Sequence, residues 1–500
     1  MAKNEVKWGA LLSYALIALN SVYGLVIMPF VLGAIGESEY GVYKTIGSMT
    51  ATISVMELGL GGTMQKYIAQ YLAQNEEKKA YNYSAMCIIQ AVVMSLAMAI
   101  VGICLFFTLD PVYGNTFSAH EMFRAKQIYI VLICYVVFHI FENVLFGIIS
   151  GYNRFIFTNS VKLTTLVSKI IIYLIILPIF KNSLAIVLTM LILEFVIIAA
   201  ECAYIKLVIK HKIKLYSWDK AVFKETFLYT ILLFVQSIII QFNGNVDNMV
   251  IGAVIGTSAV TVYSFAIQIF GMYEQCATSV SSVILPSVTK VIYSGAGPKE
   301  LENLVVKYGR AQWAVLGVAL GGFICLGKEF FFLWLGQGFD DCYYLALILM
   351  VPVTFPLIVN TCLAILKAKN LLFFRTVALA YSAVFNVIFT IIGTRIWGFY
   401  AAAMGTALST IISGVLSLNI YYRMKLKMNM FKIYLRILHK IIVCIAVPTV
   451  ICSVVNSYFS GTWFAFVSKA TVFVLIYGVL MLLFGLNENE KPKILRRKRA

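Results

Sequence analysis

The sequence predicts an all-α integral membrane protein of about fourteen transmembrane helices, and two observations carry that prediction. Of its 500 residues, 61% are hydrophobic and only 12% are charged, about half the charged fraction of a soluble domain. The hydrophobic residues also fall in long unbroken runs, several reaching the roughly 20 residues that a spanning helix needs. Lipid admits only helices and closed barrels, because nothing there can satisfy a free backbone group. Barrel strands alternate apolar and polar residues, and these runs do not. The chain reads as a helical bundle.

Taken in order, the apolar windows and their polar breaks place spans at 8–33, 41–65, 83–108, 127–149, 158–180, 184–206 and 225–255. They continue at 259–289, 311–335, 343–366, 371–393, 398–421, 437–456 and 463–486. The first run is too long for a signal-peptide core and no small-residue cleavage site follows it, so it reads as a span. The ten cysteines lie almost entirely inside apolar runs, which implies neither a disulfide framework nor the paired Cys or His spacing of a metal site. Ahead of the thirteenth span, Met428–Lys440 sets Phe431, Tyr434, Leu435 and Leu438 against Lys432, Arg436 and Lys440, the pattern of a helix lying at the inner surface.

Basic residues set the orientation. With the N-terminus in the cytoplasm, thirty-two of the forty lysines and arginines fall on inner segments, and four (Arg124, Lys126, Lys181, Arg395) fall on outer ones. Such a bias is the positive-inside rule. One span missed or added would invert everything after it, so the bias also supports the count. Both termini are then cytoplasmic. The net charge of +18 is spent on anionic lipid heads rather than nucleic acid, the tail Lys491–Arg499 included. The longest outer segment, about Leu109–Lys126, is short, and no inner loop has the length of a soluble domain. With no Gly-rich nucleotide loop either, an enzyme is not expected, nor a cofactor, and transport runs on an ion gradient or passively.

An internal repeat organises the spans. At an offset of 220, Ile35-Gly36-Glu37-Ser38-Glu39-Tyr40-Gly41-Val42-Tyr43 matches Ile255-Gly256-Thr257-Ser258-Ala259-Val260-Thr261-Val262-Tyr263 at five of nine positions. Both stretches form the outer turn between the first two spans of a six-span half, so the halves share one orientation about a pseudo-twofold along the membrane normal. The expected plan is a six-helix lobe at 8–211, a cytoplasmic connector at 212–224 and a second six-helix lobe at 225–423. An added helix pair at 428–486 and a basic tail at 487–500 follow. In the second span Ser48, Ala51, Gly59 and Gly62 form a small-residue stripe for close helix packing.

Several features together resemble one family. In the first lobe they are Leu32-Gly33, Glu39-Tyr40-Gly41-Val42-Tyr43 and Glu57-Leu58-Gly59-Leu60. In the second they are Asp247, Ile251-Gly252, Tyr263, Leu285-Pro286, Phe332-Leu333-Trp334-Leu335-Gly336, Asn386 and Gly405-Thr406. Their order over nearly the whole chain resembles the oligosaccharide and polysaccharide flippases (Wzx-type) of the multidrug/oligosaccharidyl-lipid/polysaccharide transporter superfamily. The resemblance implies a V-shaped pair of lobes around a central cavity that works by alternating access. Its expected substrate is a polyprenyl-diphosphate-linked oligosaccharide, turned from the inner to the outer leaflet. Glycosyltransferases or a glycan polymerase are the partners it implies.

Ionisable residues inside spans are costly and mark candidate sites. In the first lobe, His139, Glu142 and Asn143 share a face of span four, Glu194 and Glu201 share a face of span six, and Lys169 stacks on Tyr173 in span five. Either these form a buried structural network, or an excess of carboxylates holds a shared proton or lines the lumen. In the second lobe Asp247, Asn386 and Thr406 lie at one depth, with Thr390 a turn from Asn386. Oxygen ligands from several helices at one depth suit a small hard cation. Some superfamily relatives are similar there, which implies Na+ or H+ as coupling ion. Lys44, Lys169 and Lys328 are the cations available to a diphosphate, with snorkelling to the interface the plainer role for Lys44 and Lys328. Glu274 completes the intramembrane polar set. Two other readings stand beside the flippase: a drug or organic-cation antiporter of the same superfamily, whose cavity would be acidic and aromatic, and a membrane-embedded glycan polymerase or ligase, which needs an outer loop larger than any here.

Overall fold

The computed structural model describes residues 2–54, 59–218, 237, 238, 241, 244–293, 297–369, 371–456, 461–487 and 490. They are mostly helical, with no strand among them. Glu57, Gln236, Asn243 and the basic tail beyond 490 lie outside the described residues, as does most of the predicted seventh span.

The chain divides into two compact units, residues 1–261 and 262–500. In the first, α1 (Ala2–Val22) continues through a π-helical turn (Tyr23–Ile27) into α2 (Met28–Ile35). Next come α3 (Glu37–Ser54), α4 (Leu60–Ala73), α5 (Glu77–Phe106), the short α6 (Leu109–Tyr113) and α7 (Ala119–Gly151). Helices α8 (Phe155–Phe180) and α9 (Ser183–Tyr204) follow, and residues 244–254 are helical. Helix α10 (Thr257–Tyr293) starts in the first unit and runs into the second. The second unit adds α11 (Pro298–Leu335), α12 (Asp340–Ile358), α13 (Thr361–Ala368), α14 (Phe373–Trp397) and α15 (Tyr400–Thr410). It ends with α16 (Leu418–Leu426), α17 (Met430–Leu438), α18 (Ile441–Asn456) and α19 (Trp463–Leu480).

Among the described residues, ten helices are long and apolar enough to cross a membrane, or eleven if the pair α17–α18, bent by 48°, forms one span. The predicted second span is divided between α3 and α4 around residues 55–58. Predicted span eight is the long α10, whose polar residues Gln268, Glu274 and Gln275 dilute its hydropathy. Lipid-facing character is plain on α5, where Leu96, Ile100 and Ile103 are each about 60% exposed. Side chains of that kind in water would be an aggregation surface.

Local chemistry explains the helix starts. Ser118 and Glu121 form a reciprocal capping box on α7, with Ser118 N donating to Glu121 Oε2 at 2.7 Å. Asn182, Asn429 and Thr462 each accept a backbone N–H at the start of α9, α17 and α19. Both copies of the internal repeat turn on a glycine at positive φ, Gly36 at 82° and Gly256 at 121°, and a helix begins at the next residue each time.

The copies also meet. Thr261 Oγ1 donates to Glu37 O at 2.7 Å, and at the exchanged positions a Cβ on Gly41 would lie 2.0 Å from Thr257 O. Residue 41 faces 257 as 261 faces 37, so the contact is self-complementary at the 220-residue offset. Glu121 Oε1 ties the same turns together, accepting from Ser38 Oγ and Thr257 Oγ1 at 2.6 Å each.

The predicted small-residue stripe is corrected. Gly62 faces open space and Gly59 sits in a left-handed turn, whereas Gly61 packs so tightly on α7 that a Cβ there would stand 2.6 Å from Asn143 O. Hydropathy marks the helix; only the contact shows which small residue the neighbour approaches. In the amphipathic α17, Met430, Ile433 and Ile437 are the buried residues. The predicted apolar pair Phe431 and Leu435 faces outward beside Lys432 and Arg436.

Candidate functional site

The first unit holds two charged groups. Lys44 on α3 lies 5.3 Å from the ring centroid of Tyr40 and 5.8 Å from that of Tyr43. Lys169 on α8 lies 5.1 Å from Tyr23 and 5.7 Å from Tyr173. Lys44 and Lys169 lie within electrostatic reach of each other, and the Tyr173 hydroxyl donates to Ile186 O at 3.3 Å. Each lysine is thus flanked by two tyrosine rings, and no salt bridge joins either to a carboxylate among the described residues. Ring faces offset part of the desolvation of each lysine, about 0.5–2 kcal/mol apiece. They leave the mutual repulsion in place. Tyr23 stands in the π-helical turn after α1, an irregularity that often marks functional positions.

The second group joins α7 to α9. His139 Nδ1 lies 2.9 Å from Glu194 Oε1 and 3.7 Å from Glu142 Oε2. Tyr135 stacks on the imidazole at 5.4 Å, and Asn143 Nδ2 donates back to His139 O at 3.4 Å. Glu142, Glu194 and Glu201 are all buried, and Glu201 Oε2 has no hydrogen-bond partner among the described residues. The helical spacings seen in sequence do converge here, although Asn143 turns to its own backbone.

In the second unit α14 meets α15 through three neutral groups. Asn386 Nδ2 donates to Thr406 Oγ1 at 3.2 Å, and Thr390 Oγ1 donates to Asn386 Oδ1 at 3.4 Å. Asn386 and Thr390 are wholly buried. Gly405 makes room for them, since a Cβ there would stand 2.6 Å from Asn386 Oδ1. Asp247 is buried in the first unit. Lys328 is 58% exposed and pairs with Asp340 at 3.7 Å, which is the geometry of an interfacial side chain. Glu274 is half-buried beside Tyr273, whose hydroxyl meets Thr354 Oγ1 at 2.7 Å.

Two charged groups escaped the sequence reading. Lys469 on α19 bonds Glu329 Oε2 on α11 at 2.5 Å and also Asn456 Oδ1 on α18, while Gly461 N donates to Glu329 Oε1 at 3.2 Å. Lysine and glutamate are both buried, so this pair fastens the added helices to α11. Arg310, read as an inner-loop charge, is buried with a bidentate contact to Glu490 at 2.9 and 3.0 Å. Their ion-pair partners lie more than a hundred residues away, beyond any spacing rule.

Comparison with known proteins places this geometry. The family model described as polysaccharide biosynthesis protein matches residues 7–292. Among solved structures, the lipid II flippase MurJ in an inward closed conformation is similar with TM-score 0.69 and 16% identity, covering 95% of this chain and 98% of that one. An inward-facing multidrug resistance MATE family transporter of the MOP superfamily is similar with TM-score 0.63 and 16% identity, covering 82% of this chain and 94% of that one. A MOP superfamily transporter from Pyrococcus furiosus follows at TM-score 0.53 and 16% identity, covering 85% and 96%. No curated protein matches the chain in sequence. At such identities the structures establish the fold alone. With more than half of the chain matched by the family model, the protein belongs to the polysaccharide biosynthesis protein family.

Proposed function

We propose that this protein is a flippase that moves a polyprenyl-diphosphate-linked oligosaccharide from the inner to the outer leaflet of a bacterial plasma membrane. The supporting observation is the paired, tyrosine-lined Lys44 and Lys169. Two like charges side by side in low dielectric repel, and an anion carrying two charges turns that cost into affinity. Lysine serves as a point charge for phosphate, and tyrosine faces and hydroxyls suit adjoining sugar. Alternating access, Na+ or H+ coupling, cytoplasmic termini and glycosyltransferase or polymerase partners belong to the same reading. The test is depletion of the protein followed by a sidedness assay of the lipid-linked glycan. Accumulation of the intermediate on the inner leaflet is expected; its normal appearance outside would end the flippase reading.

A second reading, an organic-cation antiporter, draws on the carboxylates of Glu142, Glu194 and Glu201 and on the fold shared with the MATE transporter. It requires export of a cationic dye that stops in Glu194→Gln while glycan sidedness stays normal.

A further inference from the structure

We propose that His139, Glu142 and Glu194 bind a divalent transition-metal ion between α7 and α9, with Glu201 as an adjoining carboxylate. The donor atoms of the three residues all lie within 4.8 Å of one another. Around a zinc-sized ion, nitrogen and oxygen ligands at about 2.1 Å and tetrahedral angles stand about 3.4 Å apart. The observed separations of 2.9 and 3.7 Å from His139 Nδ1 bracket that value, so a shift of a few tenths of an ångström admits an ion. The His139 side chain is 31% exposed, which provides an entry on the donor that a metal needs neutral.

Charge balance points the same way. Glu201 follows Glu194 by two helical turns on the same face, is 1% exposed and keeps an unpartnered Oε2. Its strongest charged neighbour is Glu142, followed by Lys162, Glu194 and His139. Lys162 lies 3.9 Å from the Phe146 ring centroid, at the edge of the group. With all three buried carboxylates ionised, one lysine would leave two negative charges uncompensated, a costly state that protons or a cation must relieve. A dication cancels them with the histidine left neutral. One imidazole with carboxylates selects Zn2+, Co2+ or Mn2+ over Na+ or Ca2+, which take oxygen ligands alone. Helices α7 and α9 are then clasped by an ion, independently of the cargo carried.

The test uses the full chain, purified in detergent with any affinity tag removed, and titrated with Co2+ under visible absorption. One saturable equivalent with a nitrogen–oxygen d–d spectrum, displaced by Zn2+, is expected. His139→Ala and Glu194→Gln should each weaken Co2+ binding by about tenfold or more, whereas Glu274→Gln in the other unit should not. Should either variant fold poorly, a Zn2+-induced rise in melting temperature of the unaltered protein, abolished by a chelator, reads the same site. Absence of a saturable equivalent overturns the proposal. So does unaltered affinity in both folded variants, or a thermal response to pH with none to Zn2+, which would assign the cluster to protons.

Discussion

The two units hold intramembrane charge in different ways. In the first, Lys44 and Lys169 lie among tyrosine rings without a carboxylate salt bridge, and Glu142, Glu194 and Glu201 gather around one histidine. In the second, Glu329 and Lys469 neutralise one another, and the Asn386 group is built from an amide and hydroxyls. A balanced pair asks for nothing further. An unbalanced group is stable only if something from outside completes it, so the first unit is where ligands are to be sought.

Breaking the balanced pair should have the largest effect on the fold. Lys469→Met leaves Glu329 buried beside Gly461 N and Asn456 with no counter-ion, a change worth about 3–5 kcal/mol. A thermal melt of the purified protein should show a marked drop, and Glu329→Gln combined with Lys469→Met should recover most of it. Equal melting of Lys469→Met and the unaltered protein would remove the distinction between balanced and unbalanced charge.

The meeting of the two repeat copies comes next. Gly41→Ala sets a methyl 2.0 Å from Thr257 O, and backbone cannot yield as a flexible side chain does. Overpacking of this kind costs about 1–3 kcal/mol. Gly62→Ala, facing open space in the same segment, is the matched control and should melt normally.

Much of this was legible in sequence, and the reason is physical. Spans announce themselves by length and apolarity, so the helices fall close to the windows, as Phe155–Phe180 does to 158–180. Side chains one or two turns apart share a face by geometry alone, which is how His139 with Glu142 and Glu194 with Glu201 could be paired. What sequence withholds is which faces meet. Tyr23 looked like an ordinary aromatic residue until α8 set Lys169 5.1 Å from its ring. Lys469 is a lone lysine in an apolar run until Glu329, 140 residues earlier, proves to be its partner. Gly61 and Gly62 differ by one residue, and only the approach of Asn143 tells them apart.

Removing an unbalanced charge should do the opposite of removing a balanced one. Lys44→Gln or Lys169→Gln relieves repulsion and leaves no orphaned carboxylate, so the melting temperature should hold or rise. Transport of the lipid-linked glycan should nevertheless fall by about tenfold, the loss of roughly 1.4 kcal/mol of headgroup affinity. A fall in stability parallel to that of Lys469→Met would mean that these lysines are structural as well.

The smallest effect expected is a pH dependence just outside the membrane, at a buried group that is neutral and fully partnered. His211 follows the last turn of the α9 rod, between Ser84 Oγ at 2.8 Å from Nε2 and Tyr152 Oη at 3.0 Å from Nδ1. Ser84 already donates to Ala80 O at 2.9 Å, so it accepts from Nε2–H and leaves Nδ1 to accept from Tyr152. Burial pulls the imidazole from the ordinary 6.5 down to about 4. Beyond it, Asn82 holds the connector by accepting from Tyr216 N at 2.7 Å and Ser217 N at 3.0 Å. Between pH 6.5 and about 4 the released segment binds a proton that the docked one refuses. Docking is therefore complete above pH 6.5 and weakens as pH falls toward 4. Limited proteolysis within residues 212–218 should be faster at pH 5 than at pH 7.5, and His211→Leu should cleave at one rate at both. Cleavage of the unaltered protein that ignores pH would mean that Asn82 alone holds the connector, and that a satisfied histidine, like the Glu329–Lys469 pair, is simply part of the frame.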